Sequence, residues 1–335
     1  MADTHPGVAT PAPRRRLRRA GAWLLLGLVL VPGTAWVLTA LSFQAPERWR
    51  TLLMAVAGLT AVALVVLAWR RMALAWAGVA VAGLVAGVWW ALIPPSNTRD
   101  WASDVARSLT AEVVGNEVIL HNVRNFDWRT ETDFTERWET RRYALDKLET
   151  VDLFSSVWGN PAIAHTLIGF GFADGQRVVL SIEIRKEKGE SFSEIGGFFK
   201  EFELSMIAAD ESDIVRLRTD ARGETVSIYP LKVTPDQARR LFLSYLDFAN
   251  ALAVTPQFYQ TVTSNCTTVI YKLARIVDSR VPFDWRILLS GYLPDYLYAH
   301  SLIRTDLPLD QVKRQAVIRR QGHGGEPFSQ AIRAP

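Results

Sequence analysis

Three apolar runs fill the first third of the chain, residues 21–41, 52–69 and 72–93, and none contains a charged side chain. Each is long enough to cross a hydrocarbon core of about 30 Å at about 1.5 Å per residue. Lipid offers no partner to an unpaired backbone group, so the pattern predicts three transmembrane helices. Trp49, Trp69, Trp89 and Trp90 fall at the predicted ends, where interfacial anchors sit. The first run is longer than the apolar stretch of a signal peptide and two more follow it, which favours a span.

After Pro94 and Pro95, which cannot continue a helix, the pattern changes. Short β-like runs come first, at 117–122, 138–143, 163–172, 177–185, 214–218 and 226–231. Asp174-Gly175 between the third and fourth is a hairpin signal, because both residue types tolerate positive φ. Helical spacing follows. Thr234-Pro235-Asp236-Gln237 supplies an N-cap, a proline at the first helical position and a capping-box glutamine. Leu241, Phe242, Tyr245, Phe248 and Leu252 then recur on one face, and a second helix is expected from about Cys266. Strands followed by helices predict an α+β domain with an antiparallel sheet and packed helices. The expected organisation is a basic N-terminus (1–20), a three-helix membrane segment (21–93), one domain (94–310) and a partly disordered tail (311–335).

The charge sorts with this division. Residues 1–93 carry nine Arg and no Lys against Asp3 and Glu47, whereas the remainder holds 29 basic and 32 acidic residues. The formal net charge of +4 therefore describes neither part, and the acidic balance of the domain argues against a nucleic-acid partner. The Arg14–Arg19 cluster and Arg70-Arg71 lie on one side of the membrane only with three spans. That places the N-terminus in the cytoplasm and the domain in the periplasm, in a multi-pass protein of a bacterial inner membrane. Arg48 and Arg50 dissent mildly, with Glu47 beside them.

Chemistry concentrates on few residues. Cys266 is the only cysteine, which excludes an intramolecular disulfide and a multi-cysteine metal site. It lies in Thr263-Ser264-Asn265-Cys266-Thr267-Thr268, where Ser264 or Asn265 can cap the next helix. A thiol in a first helical turn faces free N–H groups that favour the thiolate and can hold an oxyanion. Against this stands packing as a small buried residue. His165 interrupts the apolar strand Ala162–Ile168 and is either a hydrogen-bonded core residue or the base for a thiol nucleophile. His121 and His300 border polar loops, and His5 and His323 lie near the ends. Glu183 can orient His165, but a plain two-residue turn at Asp174-Gly175 pairs His165 with Ile184 and turns Glu183 to the opposite face. One bulge would bring it back, and Ser181 on the same face as Glu183 is the alternative. The run Asp210-Glu211-Ser212-Asp213 reads as a solvated turn, and Lys186–Glu190 as a charged loop. No phosphate-binding glycine loop or HExxH is present, and neither a metal nor a cofactor is expected.

Asn122-Val123-Arg124-Asn125-Phe126-Asp127-Trp128, Ala164-His165-Thr166, Ser181-Ile182-Glu183-Ile184-Arg185 and Asn265-Cys266-Thr267-Thr268 together resemble the family of the Lnb N-terminal periplasmic domain, over roughly residues 95–300. More distantly the order of motifs is similar to circularly permuted papain-like enzymes, whose histidine strand precedes the cysteine helix. The resemblance implies a permuted papain-like fold and a thiol acyl-transfer site without cofactor. Cys266 would attack a membrane phospholipid ester with His165 as base and hold the chain as a thioester. A lipoprotein or other amine would then accept it. Glu183 falls on the third position, with Asn265, Ser181 and Thr267 supporting. In Lnb the further membrane spans follow the domain, whereas here the apolar runs precede it. A papain-like cell-wall or peptide amidase and a non-catalytic envelope scaffold are the other readings.

Overall fold

The computed structural model describes residues 13–319 and 327–334, in two compact units divided at Pro94–Pro95. Histidines 5 and 323 and most of the basic N-terminus lie outside the described residues.

The first unit contains two apolar helices, α1 (Pro13–Gln44) and α2 (Glu47–Leu92), not the three expected. Both are long and apolar enough to cross a membrane. The second runs through the expected boundary at Arg70-Arg71, but its backbone leaves helical geometry at Arg71, with φ −144° and ψ 80°. A Cβ at Gly78 would collide with Leu64. Those positions stand about 21 Å apart along a straight helix. The halves of α2 therefore fold back against one another at Arg71, and the third apolar run, 72–93, occupies the second half of α2. Small side chains permit the close approach: Ala68 and Ala75 are buried with Leu26 of α1. Trp23 meets Trp69 edge-on at 6.2 Å, and Trp36 meets Trp90 at 5.0 Å. The outward positions, Leu25, Leu59 and Leu84 among them, expose bare apolar side chains.

The second unit is α+β. Its strands are β1 (Thr110–Val114), β2 (Glu117–Arg124), β3 (Asp127–Trp128), β4 (Phe134–Thr135), β5 (Trp138–Ala144), β6 (Leu148–Val157), β7 (Ala164–Phe172), β8 (Arg177–Arg185), β9 (Glu203–Ala209) and β10 (Thr225–Pro230). The helices are α3 (Glu211–Arg216), α4 (Pro235–Val254), α5 (Cys266–Val277), α6 (Leu293–Ala299), α7 (Leu309–Ala316) and α8 (Phe328–Ala331). Eight strands form one sheet in the order β1-β2-β9-β8-β7-β6-β10, with β5 also paired to β2, while β3 and β4 make a separate ribbon. The sheet is mixed rather than wholly antiparallel, because β2 and β9 run parallel where Arg124 meets Ala209. Its faces are covered differently. One packs Ile168, Phe170, Leu180 and Met206 against α4, α5 and α6. The other packs Phe154, Leu167, Val179 and Ile207 against α3 and α8.

Local chemistry accounts for the clearest elements. Thr234 and Gln237 close the capping box that starts α4, whose apolar face places Phe242 4.8 Å from Phe170. Two expectations fail. Residues 214–218, read as a strand, belong to α3 and the π-helical turn Leu217–Ala221 that follows it. The acidic run before them is not solvated. Asp210 caps α3, while Asp213 is wholly buried and accepts from Arg124, the Phe126 amide and the Trp128 indole. Glu211 is buried too and pairs with Arg333 at 2.6 Å. Arg333 also holds Asp152, so the tail expected to be partly disordered beyond residue 310 is built into the domain where it is described. Ile318, Phe328 and Ile332 add apolar burial there.

At its start the unit is clamped by side chains. The Ser96 amide donates to Glu203, Arg99 pairs with the same carboxylate at 2.9 Å, and the Asn97 amide donates to the carbonyls of Leu252 and Ala253. Glu203 is pushed up to about 7 by burial, which outweighs the lowering by Arg99.

Breaking a buried ion pair from one side leaves the other charge unpaired. Asp213→Ala is expected to cost about 3–5 kcal/mol. Thermal unfolding of the detergent-solubilised protein should show this as a melting point lower by about 10 °C. An unchanged melting point would show that Asp213 does not organise the region around β3 and α3.

Candidate functional site

The site is assembled by the β7–β8 hairpin and the start of α5. The register of the hairpin is Leu167↔Ser181, Gly169↔Val179 and Gly171↔Arg177, which continued by two residues sets His165 against Glu183. The turn holds three residues, not two. Phe172 donates its amide to the Gln176 carbonyl, the Gly175 amide donates to the Phe172 carbonyl, and Gly175 has φ +85°. A left-handed glycine closing a three-residue loop is the bulged hairpin turn. It shifts the register by one and turns Glu183 onto the face of His165.

The side chains meet accordingly. His165 Nε2 lies 2.8 Å from Ser181 Oγ and 3.0 Å from Glu183 Oε1, and Ser181 donates to the same carboxylate oxygen at 2.7 Å. Arg218, from the π-helical turn, donates to Glu183 at 3.0 Å and pairs with Glu224 at 3.4 Å. Glu224 in turn accepts from Ser156. With Nε2 occupied, Nδ1 is the imidazole nitrogen left for a further partner.

That partner arrives from the other layer. Pairing between β7 and β8 ends at Leu167↔Ser181, so the strands part at the level of His165. Cys266 enters there, 8 % exposed, with Sγ 4.0 Å from the Ala164 carbonyl. Asn265 caps α5 through its side chain, which accepts the Thr268 amide at 2.8 Å, and Thr268 returns the bond to the Asn265 amide. The amides of Cys266 and Thr267, the first two of the helix, are not spent on this cap. Thr267 Oγ1 lies 3.3 Å from Thr166 Oγ1 and 3.8 Å from the sulfur.

Electrostatics follow from the contacts. Burial pushes the Cys266 thiol up, but the hydrogen bond and charge of His165, with the amide and hydroxyl of Thr166, bring it down to about 6. Burial works against the His165 imidazolium, yet Glu183 and Cys266 raise it to about 9 despite the opposing charge of Arg218. Glu183 is held well below the usual carboxylate range: burial opposes its charge, and His165 and Arg218 override it. The same contacts thus favour the charged forms of both Cys266 and His165.

The structure thus brings Cys266, His165, Glu183, Ser181 and Thr267 together, with Asn265 committed to the helix cap. Three participants were not among the candidate site residues. Arg218 ends the segment taken for strand, Glu224 follows that segment, and Thr166, quoted only as part of a motif, follows His165 in its strand. Arg124 is bound up in the buried Asp213 pair and Asp127 is exposed. His121 contacts Glu112 and Thr140 near the surface, and His300 packs on Tyr296. Among the described residues no three His, Cys, Asp or Glu side chains gather as metal ligands.

This arrangement coincides with a family match. Residues 134–291 match the Lnb N-terminal periplasmic domain. The Lnb match begins after the Asn122–Trp128 motif and includes His165, Ser181, Glu183 and Cys266. No curated protein and no solved structure matches the chain. The match to the Lnb N-terminal periplasmic domain and the two membrane-capable helices together fit a membrane protein with a periplasmic domain.

Removing the carboxylate that sustains the imidazolium should free the thiol from its low pKa. In Glu183→Gln the pH midpoint for iodoacetamide alkylation of Cys266 is expected to rise from about 6 by about one unit or more. A midpoint unmoved by the substitution would detach Glu183 from the thiol.

Proposed function

We propose that the chain is a membrane-anchored, periplasm-facing cysteine acyltransferase of the Lnb type. The observation that carries this reading is geometric: Cys266, at the start of a helix, meets the strand at His165, whose imidazole is held by Glu183 and Ser181. In the first half-reaction Sγ attacks the ester carbonyl of a membrane lipid, and the carbonyl electron pair moves onto oxygen. The amides of Cys266 and Thr267 are the donors at hand for that charge. Collapse expels the alkoxide, which takes the proton of His165, and the acyl chain remains on sulfur as a thioester. In the second half an amine attacks the thioester, neutral His165 takes its proton, and the thiolate leaves. The acceptor by family analogy is the N-terminal amine of a lipoprotein. Glu183 stabilises the imidazolium in both halves, and Arg218 positions Glu183.

A permuted papain-like arrangement is the fold reading that accompanies this chemistry: histidine strand before cysteine helix, with the helix start at the strand. The membrane reading is three crossings, by α1 and the two halves of α2, with Arg70 and Arg71 at the cytoplasmic turn. It supports an inner-membrane, multi-pass protein with its domain outside the cytoplasm.

Purified protein incubated with phospholipid vesicles and no acceptor should show by intact mass an acyl adduct, which maps to Cys266 and is absent from Cys266→Ala. Release of muropeptide fragments without any adduct would instead make the protein an amidase. For topology, alkaline phosphatase fused to the C-terminus is expected to be active, and an inactive fusion expressed at the same level would overturn the periplasmic placement.

A further inference from the structure

On the segments that flank the site, large apolar side chains are exposed beside the charged Glu194 and the Asp284–Arg286 pair. On one side Trp158, at the end of the strand that pairs with the His165 strand, stands edge-on to Phe192 at 6.5 Å, and Ile195 follows in the same loop. On the other, Trp285 packs on Tyr292 at 5.5 Å, with Leu288 between them in sequence. All six side chains are more than a third exposed, Ile195 at 60 % and Trp285 at 56 %. A domain in water gains nothing by presenting them.

Both groups are fastened to the segments that deliver the reactive side chains. Ser290 Oγ accepts the Ala164 amide at 2.7 Å and the Gly291 amide donates to the Ala162 carbonyl at 3.0 Å, immediately before His165. The fit is so close that a Cβ at Gly291 would collide with the Pro161 carbonyl. The opposite loop is tied by Thr261, whose hydroxyl donates to the Glu194 carbonyl at 3.0 Å five residues before Cys266. The two apolar groups therefore flank one opening, the parted end of β7 and β8 where Cys266 enters.

We propose that this rim is a bilayer-docking surface, which sets the opening over Cys266 at the level of the lipid ester groups. The idea rests on the acyl-transfer reading for its purpose, though not for its geometry. Three considerations select lipid as the occupant. Trp and Tyr beside aliphatic side chains are the composition of an interfacial belt. The chain itself leaves an apolar helix at Leu92 and is already hydrogen-bonded to the domain at Ser96, so only Ile93, Pro94 and Pro95 form the tether. Finally, a lipid ester lies at the membrane interface, and a buried thiol reaches it without extracting the lipid only if the opening lies there.

The test uses the full chain with Cys266→Ser, reconstituted in phosphatidylethanolamine–phosphatidylglycerol vesicles, with single cysteines placed at Phe192, Ile195 or Leu288 and labelled with NBD. Ala173→Cys is the reference, since the β7–β8 turn lies about 27 Å along the strand from His165. Apolar groups at an interface sink about 5–10 Å below the headgroups, so lipids brominated on the acyl chains should quench the rim labels roughly twofold. The Ala173 label should remain unquenched and open to aqueous iodide. Rim labels as insensitive to brominated lipid as Ala173 would overturn the proposal. So would rim labels shielded from iodide yet unquenched by lipid, which would mean a protein covers them, or equal quenching at all positions. Variants are compared only where their melting points match the parent, and three rim positions guard against one that fails to fold. The readout needs no reaction at Cys266, so it can fail while the acyl adduct on the native thiol forms, and the adduct can fail while docking holds.

Discussion

The single residue added to the β7–β8 turn governs the whole site. Strand side chains alternate between faces, so a one-residue slip in pairing exchanges one face for the other. With two residues in the turn, Glu183 would sit among the packed apolar side chains of the helical layer, and His165 would lack a carboxylate. The left-handed Gly175 makes room for the third residue, and the register that follows places His165, Ser181 and Glu183 on one face. The side chains between the turn and the site, Leu167 and Val179 among them, are then buried in the apolar layer under α3 and α8. The same shift that positions the charge also decides which core each strand residue joins, so any return to the shorter turn would unpack both.

From that face a chain of alternating charges runs inward: Cys266, His165, Glu183, Arg218, Glu224. Buried charges are costly one at a time and tolerable only when each has an opposite neighbour. Arg218 lies against two carboxylates and Glu183 against two cations, so no member is satisfied by a single partner. Cys266 is the terminal link, with His165 as its charged neighbour. This explains why a sulfur whose burial would ordinarily hold its proton is brought down to about 6. It also explains why Arg218 comes from a π-helical turn: an extra residue per turn re-aims a side chain that a regular α3 would have carried past the sheet.

Much of the domain was legible because its signals are local. The Asp174-Gly175 turn, the capping box at Thr234 and the helix start at Asn265 each depend on side chains within a few residues of the backbone they serve. The need for a bulge was also readable, although whether it occurs depends on an angle at Gly175. What escaped notice was set at long range. Residues 214–218 have strand-like composition, yet Asp213 is fixed by Arg124, 89 residues away, and the segment follows it into a helix. Strand β6 mixes Asp152, Ser155 and Ser156 with apolar residues, because their partners, Arg333 and Glu224, belong to distant segments. At the other end of the chain Arg70-Arg71, expected to separate two helices, lies inside α2, where the backbone leaves helical geometry at Arg71.

Charge and apolarity divide the protein by the solvent each part must meet. The nine arginines of residues 1–93 all stand outside the apolar runs. In the domain the charges that matter to the fold are taken inward and paired, Asp213 with Arg124 and Glu211 with Arg333 among them, while the surface near the site keeps large apolar side chains exposed. A purely aqueous domain would use that surface for solubility, and the exposed Trp285, Phe192 and Ile195 do the reverse. Their cost in water is offset only if water is not what they face. Under the docking proposal, a buried chain of paired charges ending at Cys266 and a rim of exposed apolar side chains answer one requirement: polar chemistry carried out at the edge of an apolar medium, by groups that cannot rely on solvent to hold their charge.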